Sequence, residues 1–157
     1  MRLVRAYLIP DNSISLDDTF SIGMKIGIVA AEFNEKVTSK MTEKAIEKTE
    51  ELGANYEIIE VPGVYDTVLP AEKLARKRDV DAVVVIGAIV KGDTKHDEII
   101  GHAVAQKLKD VELKNDKPVT LGVTGPGMNG DEARDRTHYG ANAVEAAYSL
   151  VSELEGQ

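Results

Sequence analysis

From Met24 onward the chain alternates between short β-branched runs and longer stretches whose apolar residues recur every three or four positions. Lys25–Ala31 (KIGIVAA), Tyr56–Val61 (YEIIEV), Ala82–Ala88 (AVVVIGA) and Val119–Thr124 (VTLGVT) read as strands. Three of these runs show little polar alternation, as expected where both faces of a strand are covered. Helices are predicted between them. Val37, Met41, Ala45, Thr49 and Leu52 fall on one face, and Gly53 supplies a stop. Leu69, Leu74 and Ala75 predict a shorter helix, entered through Pro62-Gly63 and perturbed by Pro70. A third helix is predicted from about Asp97 to Leu113, burying Ile100, Ala103, Val104, Leu108 and Val111. The last is a long one from about Asp131 to Leu154, burying Ala133, Val144, Ala147, Val151 and Leu154, with Gly140 as a kink. Repeated β-α units in series imply a parallel sheet with right-handed crossovers. The predicted fold class is therefore α/β: a three-layer α/β/α sandwich around a four-stranded parallel sheet, of flavodoxin-like type.

Residues 1–23 break this alternation. A β-like patch, Val4 to Ile9, ends at Pro10, and a segment rich in turn formers follows. We read it as an N-terminal arm, either pairing with a neighbouring subunit or disordered, ahead of one domain at residues 24–157. With 157 residues and 43% hydrophobic positions, a single core is expected. The net charge of −8 argues against a nucleic-acid partner. The absence of Cys removes disulfides, thiolate catalysis and Cys-ligated metal sites, and fits a reducing compartment. The longest apolar stretch, Ala82 to Val90, is well short of a membrane span, and the opening residues carry no signal-peptide core. A soluble cytoplasmic domain with no membrane partner is expected.

In an open parallel sheet, ligands sit beyond the carboxyl ends of the strands. After the first strand comes Glu32-Phe33-Asn34, where Phe33 could stack on a ligand ring or cap the core beneath the first helix. The second strand runs into Pro62-Gly63-Val64-Tyr65-Asp66, a turn able to present backbone groups, with Asp66 a possible acceptor for sugar-like hydroxyls. Ala88-Ile89-Val90 closes the third strand, and a polar loop with Asp93, Thr94, Lys95 and His96 opens the next helix. Unpaired N–H groups there suit an anion, without Walker A spacing, and His96 is a natural proton carrier. A metal is not expected, because His96 and His102 do not share the i, i+4 face and no third ligand is evident. Beyond the fourth strand, Arg136 could clamp a phosphate or pair with Glu132 at i,i+4 spacing.

Taken together, GIVAAEFN, VPGVYD, GAIVKGDTKHDEI, PVTLGVTGPGM and the Arg136 region resemble the lumazine synthase family, its archaeal branch most closely. The resemblance covers about residues 24 to 155. It implies a cofactor-free condensation of 5-amino-6-ribitylaminouracil with 3,4-dihydroxy-2-butanone 4-phosphate to 6,7-dimethyl-8-ribityllumazine. By position it implies that Phe33 stacks on the pyrimidine, that Val64, Tyr65 and Asp66 hold the ribityl chain, and that Ala88, Ile89 and Val90 line the ring. It further implies that Asp93 and Thr94 cradle the phosphate with help from Arg136, that His96 is the acid/base, and that Leu121 closes a neighbouring subunit's pocket. Tyr65-Asp66 replaces the Phe-Glu pair of commoner members, and Leu121 stands where many carry Phe. The resemblance also implies a homo-oligomer, either a pentamer or a shell of twelve pentamers. Two alternatives stay open: a non-catalytic binding or shell-forming homologue, and an archaeal-type riboflavin synthase.

Overall fold

The computed structural model describes residues 23–157; the arm at residues 1–23 falls, but for its last residue, outside the described residues. Four strands, β1 (Lys25–Ala31), β2 (Asn55–Val61), β3 (Ala82–Ala88) and β4 (Val119–Thr124), form one sheet in the order β2-β1-β3-β4. Every pairing is parallel. The helices are α1 (Glu35–Glu51), α2 (Val68–Ala75), α3 (His96–Asn115), α4 (Gly130–Arg134) and α5 (Tyr139–Glu155), with a 3-10 turn at Val64–Asp66 ahead of α2. The α/β sandwich read from the hydrophobic pattern is the architecture found.

Side chains alternate between the two faces of a strand, and β3 shows what that does here. Val83 and Val85 point toward α2 and α3, where they join Leu74, Val104, Leu108 and Val111. Val84 and Ile86 point the other way and join Met41, Ala45, Val144 and Ala147 from α1 and α5. All of β3 is buried, which explains its uninterrupted apolar sequence. The chain leaves β1 toward β2 on one side and reaches β3 on the other, so a crevice between the ends of β1 and β3 is built into the topology.

Several helical expectations are corrected. The segment from Asp131 to Leu154 is not one helix. An Asn129 cap starts the short α4, and α5 begins only at Tyr139. Between Asp131 and His138 the sole apolar residue is Ala133, so a continuous helix there would have no stripe to bury. Gly140 is a close-approach point and not a kink: a Cβ there would lie 2.1 Å from the carbonyl oxygen of Met41, so its absence lets α5 lie on α1. Leu154 is exposed near the end of α5. Pro70 does not perturb α2, because it sits in the first turn, where backbone N–H groups lack an intrahelical acceptor. Ala103, expected in the core, is exposed, and with Leu69 from the second helical period it lines a groove of about 830 Å³ between α2 and α3.

Candidate active site

The four strand ends are stitched into a single rim. Glu32 N–H donates to the Val61 carbonyl and Phe33 N–H to the Pro62 carbonyl, both at 2.9 Å. On the other side, Ile89 N–H donates to the Thr124 carbonyl at 2.8 Å and Lys91 N–H to the Met128 carbonyl at 2.7 Å. The Asn34 side chain joins the two halves across the crevice, its Nδ2 donating to the Ala88 carbonyl at 2.8 Å. Asn34 holds a left-handed backbone (φ 65°, ψ 47°), a conformation that Asn tolerates better than most residues, and it caps α1. Its conformation thus turns the chain into α1 while its amide spans the gap.

Phe33 is 72% exposed. That removes the core-capping alternative and leaves an aromatic face open on the rim. Val64 is buried instead: a Cβ on Gly87 would lie 2.4 Å from Val64 Cγ2, so the bare glycine is the socket that seats the 64–66 turn on the end of β3. Tyr65 projects from that turn into solvent, and the Asp66 carboxylate accepts the Gly63 N–H at 3.0 Å. Ala88 and Ile89 are buried and Val90 is half-buried. Because the Ala88 carbonyl and Ile89 N–H are engaged, Val90 is the residue of this trio whose main-chain groups bond no other described residue.

Asp93, Thr94 and His96 are exposed on the segment leading into α3, and His96 is the first residue of that helix. Lys95, at the cap position, makes no side-chain cap bond, which leaves the first-turn N–H groups available to an anion. Arg136 is half-buried, and it does not form the i,i+4 ion pair. Its Nη1 donates to the Glu132 carbonyl at 2.8 Å, while the Glu132 carboxylate accepts Asn129 N–H at 2.8 Å and closes the α4 cap. The other guanidinium N–H groups bond no described residue.

Leu121 is not brought to the rim of its own chain. It pairs in register with Val85, partway along β4, and is 49% exposed at the open edge of the sheet. Tyr65 and Asp66 line the α2–α3 groove, whereas Glu32 lines a second groove of about 740 Å³ beside α1. One chain therefore presents the rim as an open ledge between two grooves.

The profile of the 6,7-dimethyl-8-ribityllumazine synthase family matches residues 23–155. The chain belongs to that family. Among curated lumazine synthases, that of Halobacterium salinarum is 52% identical over 131 residues, covering 83% of this chain and 98% of its own. The Methanocaldococcus jannaschii enzyme is 49% identical over 134 residues, covering 84% and 94% respectively. That of Methanopyrus kandleri is 44% identical over 138 residues, covering 85% and 98%. As a member of the lumazine synthase family, the chain is assigned to riboflavin biosynthesis as a transferase.

Two residues that shape the lumazine synthase rim carry no obvious mark in the sequence. Asn34 was visible only as a polar residue after Phe33, and its bridge depends on β1 and β3 being neighbours. Asp97 reads as an ordinary acidic residue in a first helical turn, yet its side chain is buried and its Oδ2 accepts Gly127 N–H at 3.0 Å.

Proposed function

We propose that this chain condenses 5-amino-6-(D-ribitylamino)uracil with 3,4-dihydroxy-2-butanone 4-phosphate, releasing phosphate and water and forming 6,7-dimethyl-8-ribityllumazine. The observation that carries the reading is the main-chain-stitched rim, which sets an exposed Phe33 on one half and an uncapped helix start bearing His96 on the other. Family membership supplies the reaction.

In this reading the Phe33 ring stacks on the pyrimidine, a contact worth about 0.5–1.5 kcal/mol beyond area burial. Val90 meets the ring edge through its unengaged main chain, with Ala88 and Ile89 forming the wall. The turn at Val64, Tyr65 and Asp66 takes the ribityl chain, Asp66 with the carboxylate oxygen that Gly63 leaves open. Main-chain N–H groups near Asp93 and Thr94 hold the phosphate, and Arg136 adds guanidinium donors. The 5-amino group adds to the ketone and water leaves to give an imine; phosphate is then eliminated to an enol that tautomerises to a new carbonyl. The ribitylamino nitrogen adds to that carbonyl, and a second water leaves to close the ring. His96 carries protons between these steps. Acid/base help of this kind supplies about 10²–10⁴-fold, whereas effective molarities of well-held reactants reach about 10⁵–10⁸ M. Holding the reactants in register therefore dominates.

The site is completed by a second copy. Tyr65, Leu69, Ile99 and Leu121 are large apolar residues left exposed, and the first two line the groove between α2 and α3. Apolar surface of this extent favours burial against another subunit. A homo-oligomer built of pentamers, alone or twelve to a shell, would bring Leu121 of one copy to the ring pocket of the next. We place the enzyme in the cytoplasm, with small-molecule partners and no nucleic acid.

Mixing the protein with both substrates and following lumazine absorbance tests the activity. Product formation is expected. Binding without turnover would instead favour a non-catalytic homologue, and consumption of added lumazine a riboflavin synthase. Sedimentation showing only monomer at working concentration would remove the shared site.

A further inference from the structure

The segment from Gly92 to His96 carries three of the residues assigned above to phosphate and proton handling, yet none of its side chains bonds another described residue. What holds it lies at its two ends. Just before it, Lys91 N–H donates to the Met128 carbonyl at 2.7 Å. Just after it, Asp97 Oδ2 accepts the Gly127 N–H at 3.0 Å. Adjacent residues of the β4–α4 turn thus grip both ends of the segment, and the second grip is a side chain.

That turn is itself firmly seated. A Cβ on Gly101 would lie 2.8 Å from Pro126 Cδ, so the turn rests directly on α3, one helical turn beyond Asp97. Asp97 is 7% exposed although it stands in the first turn of a helix on the surface, and the residues on either side of it are exposed. A buried carboxylate is costly unless its oxygens are bonded. The Gly127 N–H supplies one bond, and the start of α3 provides a favourable field for the charge.

We propose that Asp97 is a positioning residue: by tying Gly127 to the start of α3, it sets where the His96 and Asp93–Thr94 segment meets the phosphorylated substrate. This rests on the function proposed above. Asp97 itself touches neither substrate. Its effect falls on the reactant held by the segment it anchors and not on the pyrimidine held at Phe33 and the 64–66 turn, which are fixed through β1, β2 and Gly87.

The test compares wild type, Asp97→Ala and Asp97→Glu as full-length protein. KM is measured for each substrate separately, alongside hydrogen exchange at the Gly127 amide. Alanine removes the acceptor; glutamate keeps the charge but displaces the turn by one methylene. The expected result for either folded variant is a KM for the butanone phosphate raised about tenfold or more, a pyrimidine KM within twofold of wild type, and faster exchange at Gly127. Should the alanine variant fail to fold, the glutamate variant decides alone. Unchanged KM values, or equal rises for both substrates, with an active wild type overturn the positioning role and leave the assigned reaction intact. An inactive wild type overturns the reaction and this role together.

Discussion

Replacing Gly87 with alanine tests the link between packing and substrate position most directly. The added Cβ would lie 2.4 Å from Val64 Cγ2 and 3.3 Å from Ala31 Cβ. Carbon atoms in contact prefer about 3.5–4.0 Å, so the valine methyl must retreat by about 1 Å. Val64 is stiff at χ1 and buried, and Gly87 lies within the fully buried β3, so neither side can yield by simple rotation. Overpacking of this kind costs about 1–3 kcal/mol, which for a domain of this size lowers Tm by about 2–12 °C. The displaced element is the turn bearing Tyr65 and Asp66. Misplacing a binding group by about 1 Å can cost up to about 10²-fold, so the pyrimidine KM is expected to rise while the butanone phosphate KM holds. The double variant Gly87→Ala with Val64→Ala removes the colliding methyl, and a double-mutant cycle should return a favourable coupling of at least about 0.5 kcal/mol. Thermal unfolding and steady-state kinetics on the four proteins give both readouts. Strict additivity, or a single variant with wild-type Tm and pyrimidine KM, would refute the socket.

Three further outcomes are expected. His96→Ala should keep measurable turnover, within about 10²–10⁴-fold of wild type; no detectable turnover with intact binding of both substrates would place more of the chemistry on the imidazole. Arg136→Ala should raise the butanone phosphate KM with little loss of stability, since the Arg136 side chain bonds only the Glu132 carbonyl among the described residues; an unchanged KM would remove Arg136 from the phosphate site. At the amino ends of the strands, opposite the rim, the Lys25 ammonium holds the Glu57 and Asp79 carboxyls below their ordinary values of 4.5 and 3.8. The unfolded chain therefore binds protons before the folded one does, and stability present above about pH 4.5 is lost as the pH falls through the folded values. Glu57→Gln should flatten this acid limb in urea titrations at pH 7 and pH 3.5, and an unaltered difference between the two would remove Glu57 as a contributor.

The strands were legible because three of them are sequence runs of unusual purity: β1, β3 and β4 begin and end where the apolar runs do. Parallel order followed from the helices between them. What escaped was whatever depended on a second element. Leu69 and Ala103 keep the helical period but open on a groove that one chain does not fill. The break before Tyr139 reflects a polar stretch whose helix had nothing to bury, and Gly140 is explained by Met41, far away in sequence. At the site, Phe33, Tyr65 and His96 were visible as residue types beyond strand ends. The bridge from Asn34 to Ala88 and the tie from Asp97 to Gly127 were not, because each joins segments that only the folded sheet makes neighbours.

The rim has a further consequence. Most of its seams are drawn between peptide groups, which every residue except proline supplies in full. Outward side chains that bond none of these peptide groups, such as Phe33 and Tyr65, can therefore be exchanged without unpicking the frame beneath them. Such a frame invites redesign: new side chains at positions 33 and 65 would meet a different heterocycle over an unaltered backbone, while Asn34, Asp66, Gly87 and Asp97 would have to be left alone.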